Sequence, residues 1–273
     1  MIKLILIVFS ILISCETFGF ESKIAILYID QKTEEKIGIF PIKRNYYADV
    51  IKTLNEFYKA KIIVVKIFLD LPKPEDKLLI SSIKTYSNLY TQALATNEKE
   101  SCKANLNLKD LGNNSLALHD FNCGWIPNKQ MSEAFRNIGM VNGIMSKEKF
   151  VTGLSLVNSI NGKLYPSLPL LIASHIKSLS ISVKENQVYL GNKKLILKNE
   201  ASYPIDSIPE KSPFPTYSFI DVLNKKINKV DLIDKMVFIF YRGEKTPSLK
   251  ISKDKKANQA EIIAWVTDSL IKL

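Results

Sequence analysis

Arginine is scarce in this chain. Of its 38 Lys and Arg residues only Arg44, Arg136 and Arg242 are arginine, although the formal net charge is +11. Nucleic-acid and phosphate sites favour the planar arginine fork, so a basic excess carried by lysine argues against nucleic acid as a partner. The lysines are also scattered, densest at Lys193-Lys194, Lys225-Lys226 and Lys253–Lys256. A solvated surface accounts for them; the alternative is a tethered basic domain lying on anionic lipid.

Histidine is scarcer still. His119 and His175 lie far apart and give no metal-ligand spacing, and no EF-hand-like alternation of acids occurs. Neither a metal nor a cofactor is therefore expected. Catalysis by a nucleophile and a base finds little support either. His119 and Asp120 are sequence neighbours whose side chains point different ways, so adjacency makes no dyad. Gly153-Leu154-Ser155-Leu156-Val157 lacks the second glycine of a nucleophile elbow. No G-x-G-x-x-G and no P-loop glycine pattern is present. After residue 15 no stretch approaches the ~18–20 apolar residues of a membrane helix. The part beyond is expected to be soluble and to work by binding, not as an enzyme.

Cysteine is limited to Cys15, Cys102 and Cys123. Cys15 belongs to the N-terminus, where Lys3 forms a short basic region and Leu4 to Ser14 carries no charge. That run is too short to span a bilayer but suits a signal-peptide core. Leu12-Ile13-Ser14-Cys15 looks like a bacterial lipobox, with a branched apolar residue at −3 and a small one at −1. Residues 1–15 are expected to act as a lipoprotein signal peptide, with Cys15 becoming the lipidated mature N-terminus; two or more acyl chains there give stable anchoring. An exported protein facing the periplasm or the cell surface follows. Cys102 and Cys123 then read as one disulfide closing a loop of about 20 residues, worth ~3 kcal/mol; the alternative is two unpaired thiols.

The 273 residues are 46% hydrophobic, enough for one large core. Lys23–Ile29 and Lys61–Leu69 read as buried strands, Tyr46 to Tyr58 and Glu75–Tyr86 as helices, and Leu89–Ala95 as a third strand. This β-α-β-α-β order implies parallel strands joined by right-handed crossovers. Glu98 to Asn137 is polar and reads as a long excursion stapled by the disulfide. Strands follow at Gly139–Ile144 and Val151–Ile160, a turn at Asn161-Gly162, a helix over Pro169–Leu179 and a hairpin around Gly191-Asn192. Tyr217–Asn224 reads as a short helix, Met236–Phe240 as a late buried strand and Ala260–Leu273 as an amphipathic closing helix. The expected fold class is α/β: a mixed, largely parallel sheet flanked by helices in one domain over residues 22–273.

If the first two strands are parallel neighbours, Asp30 and Asp70 end at one carboxyl edge, where open α/β sheets bind ligands. Arg44 and Arg242 could reach the same edge. These four are the candidate ligand residues. The plainer alternative is that Asp30 caps a turn, Asp70 opens a Pro-bounded loop and Arg44 pairs with one of them.

With these residues in place, the chain resembles the CHASE family of extracellular sensor domains, type 2. Ile24–Asp30 and Pro41-Ile42-Lys43-Arg44 look like its opening strand and Pro-x-x-Arg segment. Ala60-Lys61-Ile62-Ile63 matches its second strand, and Pro72 to Asp76 the acidic segment after it. Gly139-Met140-Val141-Asn142 resembles its Gly-x-Val-Asn strand and Tyr165-Pro166-Ser167-Leu168 its Pro-Ser-Leu helix start. Phe214, Ser218 and Asp221-Val222-Leu223 resemble its Phe…Ser…Asp-Val-Leu element, and Thr246-Pro247 with Glu261–Leu270 its closing segment. The family usually has an acid where Lys66 stands, Asp-Gly where Lys147-Glu148-Lys149 runs, and His-Ala where Ile263-Ala264 does. Its glycine after the late strand is displaced to Gly243. A ligand held at those positions is expected to differ from the family's, or to be absent. Family members continue into transmembrane helices and a cytoplasmic kinase or cyclase, whereas this chain stops at Leu273. The resemblance thus implies a lipid-anchored sensor-like module acting through a membrane or extracytoplasmic protein partner. The alternatives are a structural lipoprotein with a degenerate sensor fold, or a hydrolase using Asp30 and Asp70.

Overall fold

A computed structural model of the protein describes residues 22–98, 106, 108–197, 201–243, 246 and 248–273. The signal segment with Cys15, and Cys102, lie outside the described residues. The first half of the fold comprises β1 (Ile24–Ile29), α1 (Gln31–Ile37), α2 (Arg44–Glu56), β2 (Ile62–Val65), α3 (Asp76–Thr85) and β3 (Leu89–Thr96). Then come β4 (Asp120–Phe121), β5 (Cys123–Trp125), α4 (Lys129–Ala134), β6 (Asn137–Met140), β7 (Gly143–Met145), β8 (Val151–Ser155), β9 (Val157–Ile160) and β10 (Lys163–Pro166). The rest is α5 (Leu168–Lys177), β11 (Ile181–Lys184), β12 (Gln187–Leu190), β13 (Lys193–Lys194), β14 (Ser202–Pro204), β15 (Thr216–Ser218), α6 (Phe219–Leu223), β16 (Met236–Tyr241), β17 (Leu249–Lys250), β18 (Lys256–Ala257) and α7 (Gln259–Lys272).

The main sheet runs β15-β1-β16-β2-β3, all parallel, and β6 adds a further parallel strand against β3. Only β5 is antiparallel, on Leu94–Thr96, the part of β3 beyond its pairing with β2. The mixed, largely parallel α/β fold class is as expected, but two expectations need correction. First, β1 and β2 are not neighbours, because β16 lies between them. Its sequence, MVFIFY, is apolar on both faces, as a central strand covered on both sides requires. Second, residues 106–137 are not a mere polar excursion. Trp125 and Cys123 pair through β5 with the main sheet, and α4 packs beside α3. The disulfide staple is not shown, since Cys102 is not described; Cys123 is buried, with its sulfur 3.1 Å from the Thr96 carbonyl oxygen.

Period-two alternation divides the sheet into two covered faces. Ile24, Ile26, Ile62, Val64 and Phe238 face α5 and α7 in one core. Ala25, Leu27, Ile63, Val65, Val237 and Ile239 face α2, α3 and α6 in the other. α2 buries Tyr47, Val50, Ile51 and Leu54 at helical spacing, which is why that stripe is legible in sequence. The turn at Asn161-Gly162 joins β9 to β10, both residues having positive φ (50° and 73°) as tight hairpin turns demand. Gly139 on β6 lies against the start of α5: a Cβ there would stand 2.4 Å from the Leu168 Cα.

Candidate functional site

The carboxyl ends of β1, β16, β2 and β3 share one edge of the sheet. Tyr28 stands opposite Phe240, Val65 opposite both Ile239 and Thr91, and the Lys66 amide continues the ladder to the Ile239 carbonyl at 3.0 Å. Tyr28, Phe240, Lys66 and Gln92 therefore form one row across four strands, on the face that packs α5 and α7. The two rows beneath are apolar: Ile26, Phe238, Val64, Tyr90, and then Ile24, Met236, Ile62. In the last row the pattern turns polar, and a cleft of about 280 Å3 opens above it. Phe40, Phe68 and Arg242 form further walls, with Asn258, Gln259 and Ala260 at the start of α7.

Each polar group there has a defined state. Lys66 donates from Nζ to the Gln259 side-chain oxygen and lies 5.5 Å from the Phe240 ring centre. Among the described residues no carboxylate is within ion-pair distance of Lys66 or Arg242. Burial away from water pulls the Lys66 pKa down to about 7. The Arg242 guanidinium sits 5.0 Å over the Tyr28 ring. Tyr28 accepts a 2.9 Å hydrogen bond from Asn258 Nδ2, and burial pushes its phenol up to about 12, so it stays neutral. Gln92 is 1% exposed, and neither atom of its side-chain amide has a partner among the described residues. Asn258 and Glu261 form a capping box, the Asn258 side chain taking the Glu261 amide at 2.8 Å and the Glu261 carboxylate taking the Asn258 amide at 3.2 Å. The amides of Gln259 and Ala260, at the first two helical positions, have no partner within the helix, and the positive end of its dipole points toward the cleft.

The four residues expected from sequence do not converge. Only Arg242 lines this cleft. Asp30 caps α1: its Oδ1 accepts from the Thr33 amide at 3.0 Å, the Thr33 hydroxyl at 2.8 Å and the Ser218 hydroxyl at 2.8 Å. Asp70 and Arg44 line a separate hollow of about 260 Å3 beside α2. There Asp70 accepts from Trp125 Nε1 at 3.0 Å, and the Trp125 ring stacks on Phe68 with centroids 3.7 Å apart. Arg44 is 7% exposed and pairs with Asp76, 3.4 Å from Nε to Oδ1, not with Asp30 or Asp70. Asp76 is fixed in turn by Asn128 at 3.1 Å and the Lys73 amide at 3.0 Å. With β16 between their strands, the two aspartates face no common cleft.

The residues that sequence reasoning missed are Gln92, Tyr28 and the start of α7; Lys66 was singled out only as a departure from the family's acidic position. Their signal was a polar residue at an inward position of an apolar strand, Lys66 after Ile62 and Val64, and Gln92 after Tyr90. Neither histidine joins the site. His175 on α5 bonds the Tyr90 hydroxyl, and His119 packs edge-on against Phe121. Asp120 turns instead to the Ser159 hydroxyl at 2.6 Å. Among the described residues no group of three or more His, Cys, Asp or Glu could hold a metal ion, and no helix is long and apolar enough to cross a membrane.

No curated protein and no solved structure matches the chain. A family does: the CHASE2 domain matches residues 6–267, nearly the whole sequence. Within the segments that carry the resemblance, Asp30 meets Ser218 and Arg44 meets Asp76. The chain belongs to the CHASE2 domain family, a family of extracellular sensor domains.

Proposed function

We propose that the chain is an extracytoplasmic sensing module that works by binding a small ligand in the cleft between Lys66, Gln92, Arg242 and the start of α7. The observation that carries this reading is the buried Gln92 amide, which has no partner among the described residues and lines a cleft at the edge where open α/β sheets bind ligands. An unpaired buried amide costs ~1–3 kcal/mol, and a ligand that bonds it removes that cost. Membership in a family of extracellular sensors supports the same reading. Of the residues proposed from sequence, Arg242 belongs to the ligand set, while Asp30, Arg44 and Asp70 hold elements together. Lipid on Cys15 anchors the module, a Cys102–Cys123 bridge ties residue 123 to the segment before it, and a membrane or extracytoplasmic protein receives the signal.

A thermal-shift screen of small metabolites against the wild type and a Gln92→Leu variant tests the cleft. At least one compound should stabilise the wild type and not the variant; compounds that stabilise both equally, or none at all, would remove the cleft from the reading. Cys15→Ala should release the protein from membranes, and unchanged detergent partitioning would end the lipoprotein assignment. Non-reducing mass spectrometry of exported protein should recover a peptide joining Cys102 to Cys123, and free thiols there would refute the bridge.

A further inference from the structure

We propose that the ligand of this cleft is a small organic carboxylate with an apolar body, its anionic group held between Lys66, Arg242 and the first amides of α7, and its body against Phe68 and Phe240. This rests on the reading of the cleft as a ligand site and deepens it by naming the ligand's charge and shape.

Three positive features converge on one volume. Lys66 and Arg242 directly follow the adjacent strands β2 and β16, and the start of a 14-residue helix supplies amides with no partner within the helix. Neither cation has a carboxylate partner among the described residues. Among the described residues the group that Lys66 donates to is a neutral amide oxygen, that of Gln259. The neighbouring phenol, Tyr28, is neutral and already bonded to Asn258. Glu261, the acid nearest the row on α7, is turned back onto the Asn258 amide. A cationic ligand would therefore meet like charge without compensation, while an anion finds the Arg242 guanidinium, a lysine whose charged form it stabilises, and a helix terminus.

Gln92 and the aromatic walls narrow the choice. A bare inorganic anion would leave Phe40, Phe68 and Phe240 lining empty space and the Gln92 amide unpaired. An organic body covers those rings, and a polar substituent on it pairs the amide. The unliganded state keeps a lysine in a poorly solvated place, where burial holds its pKa at about 7. An anion restores the charged form, so binding takes up a proton above that pH. The charged or titratable groups lining the cleft with Lys66 are Arg242, Tyr28 and Tyr241; Glu261 lies in electrostatic reach of Tyr28 and Glu34 accepts from the Tyr241 hydroxyl, while Gln92 lines the cleft from β3 and does not titrate. Burial brings the Lys66 pKa to near neutrality, and the pH dependence is assigned to it.

The experiment is isothermal titration calorimetry of the purified full chain with benzoate and hexanoate as probes. Benzyl alcohol serves as the neutral match and inorganic phosphate as the bare anion. Benzoate or hexanoate should bind about tenfold or more tightly than benzyl alcohol and phosphate. Lys66→Met should weaken the carboxylate about tenfold, Lys66→Arg should retain it, and Arg242→Gln should weaken it, with benzyl alcohol unaffected. From about pH 6 to about pH 8 the carboxylate should bind progressively more weakly, and buffers of different ionisation heat should reveal proton uptake. Equal binding of benzoate and benzyl alcohol, or undiminished benzoate binding by Lys66→Met, overturns the carboxylate assignment. Should a neutral compound bind in a Gln92-dependent way while no carboxylate does, the cleft remains a ligand site and only its charge preference falls. Binding of neither class removes both.

Discussion

At Lys66 the sheet places an amine where the two rows below it hold only apolar side chains. The consequence for stability has a definite sign. In the unfolded chain this amine titrates near 10.5, and in the folded protein at about 7. Between those values the unfolded state holds a proton that the folded state lacks, so the contribution of Lys66 to stability rises with pH across that window. Below about 7 both states are protonated and the full penalty of burying the charge is present. Lys66→Met should therefore raise the melting temperature at neutral and acid pH and flatten the rise toward pH 10; melting curves at several pH values give the answer. Arg44 and Asp76 present a different case, a buried pair of opposite charges 3.4 Å apart. Asp76→Ala strips the partner from a guanidinium that cannot lose its proton, at a cost of ~3–5 kcal/mol, which denaturant unfolding would read. The residue-level signals were thus present in the sequence but mixed. Asp30 and Arg44 were correctly placed at strand and helix ends, and the plainer alternative of a capping Asp30 holds through its local bonds to Thr33; its bond to Ser218 and the pairing of Arg44 with Asp76 depend on residues arriving from elsewhere in the chain. Lys66 was visible as an interruption of an apolar strand, but whether it faced a core, solvent or a cleft required the register of three other strands.

Elements with strong local periodicity were legible. β1, β3, β16, α2 and α7 fall close to where their apolar patterns place them, because each buries a continuous run or stripe. What no local signal carries is order across the sheet. The insertion of β16 between β1 and β2 brings residues more than 160 positions apart into one row, and it separates the strands that lead to Asp30 and Asp70. Short elements were missed for a related reason. α1 is a polar helix held by its Asp30 cap, and β15 has only three residues to pair with β1. The Gly139–Asn142 motif shows how an element acquires its family pattern. Gly139 lets the α5 backbone lie directly on β6. Val141 packs into the core, and Asn142 bonds both backbone groups of Ala95, accepting at 2.9 Å and donating at 2.8 Å. The Asn142 side chain so extends the ladder where β6 has ended. Gly139→Ala forces α5 off the sheet and should cost ~1–3 kcal/mol as an overpacked contact. Asn142→Leu leaves a buried amide and carbonyl of β3 unpaired and should cost ~1–3 kcal/mol. Chemical denaturation of both variants measures these losses, and hydrogen exchange at Ala95 should rise in the second variant.

At the scale of the molecule, parallel strands give the sheet two unlike ends. The chain enters β1 from residues 22 and 23 at the amino edge, where the Lys235 amine bonds the Ser22 carbonyl at 2.8 Å. The cleft lies at the carboxyl edge, one strand length away, or ~20 Å for the six residues of β1. If lipid sits on Cys15 as proposed, the seven steps to Ser22 span at most ~25 Å of extended chain. The amino edge is then tied close to the bilayer and the cleft opens on the side away from it. Ligand entry from the aqueous compartment should accordingly be indifferent to the anchor. Anchored protein in vesicles and soluble Cys15→Ala protein should bind benzoate with the same affinity and the same dependence on pH. A several-fold loss of affinity on anchoring, restored by lengthening the segment between Cys15 and Ser22, would show that the membrane crowds the cleft and that the domain lies over on its side. Equal affinities would leave the amino edge facing the lipid and the sensing edge facing the medium. Any signal would then have to pass along the sheet or through a partner seated on its flanks.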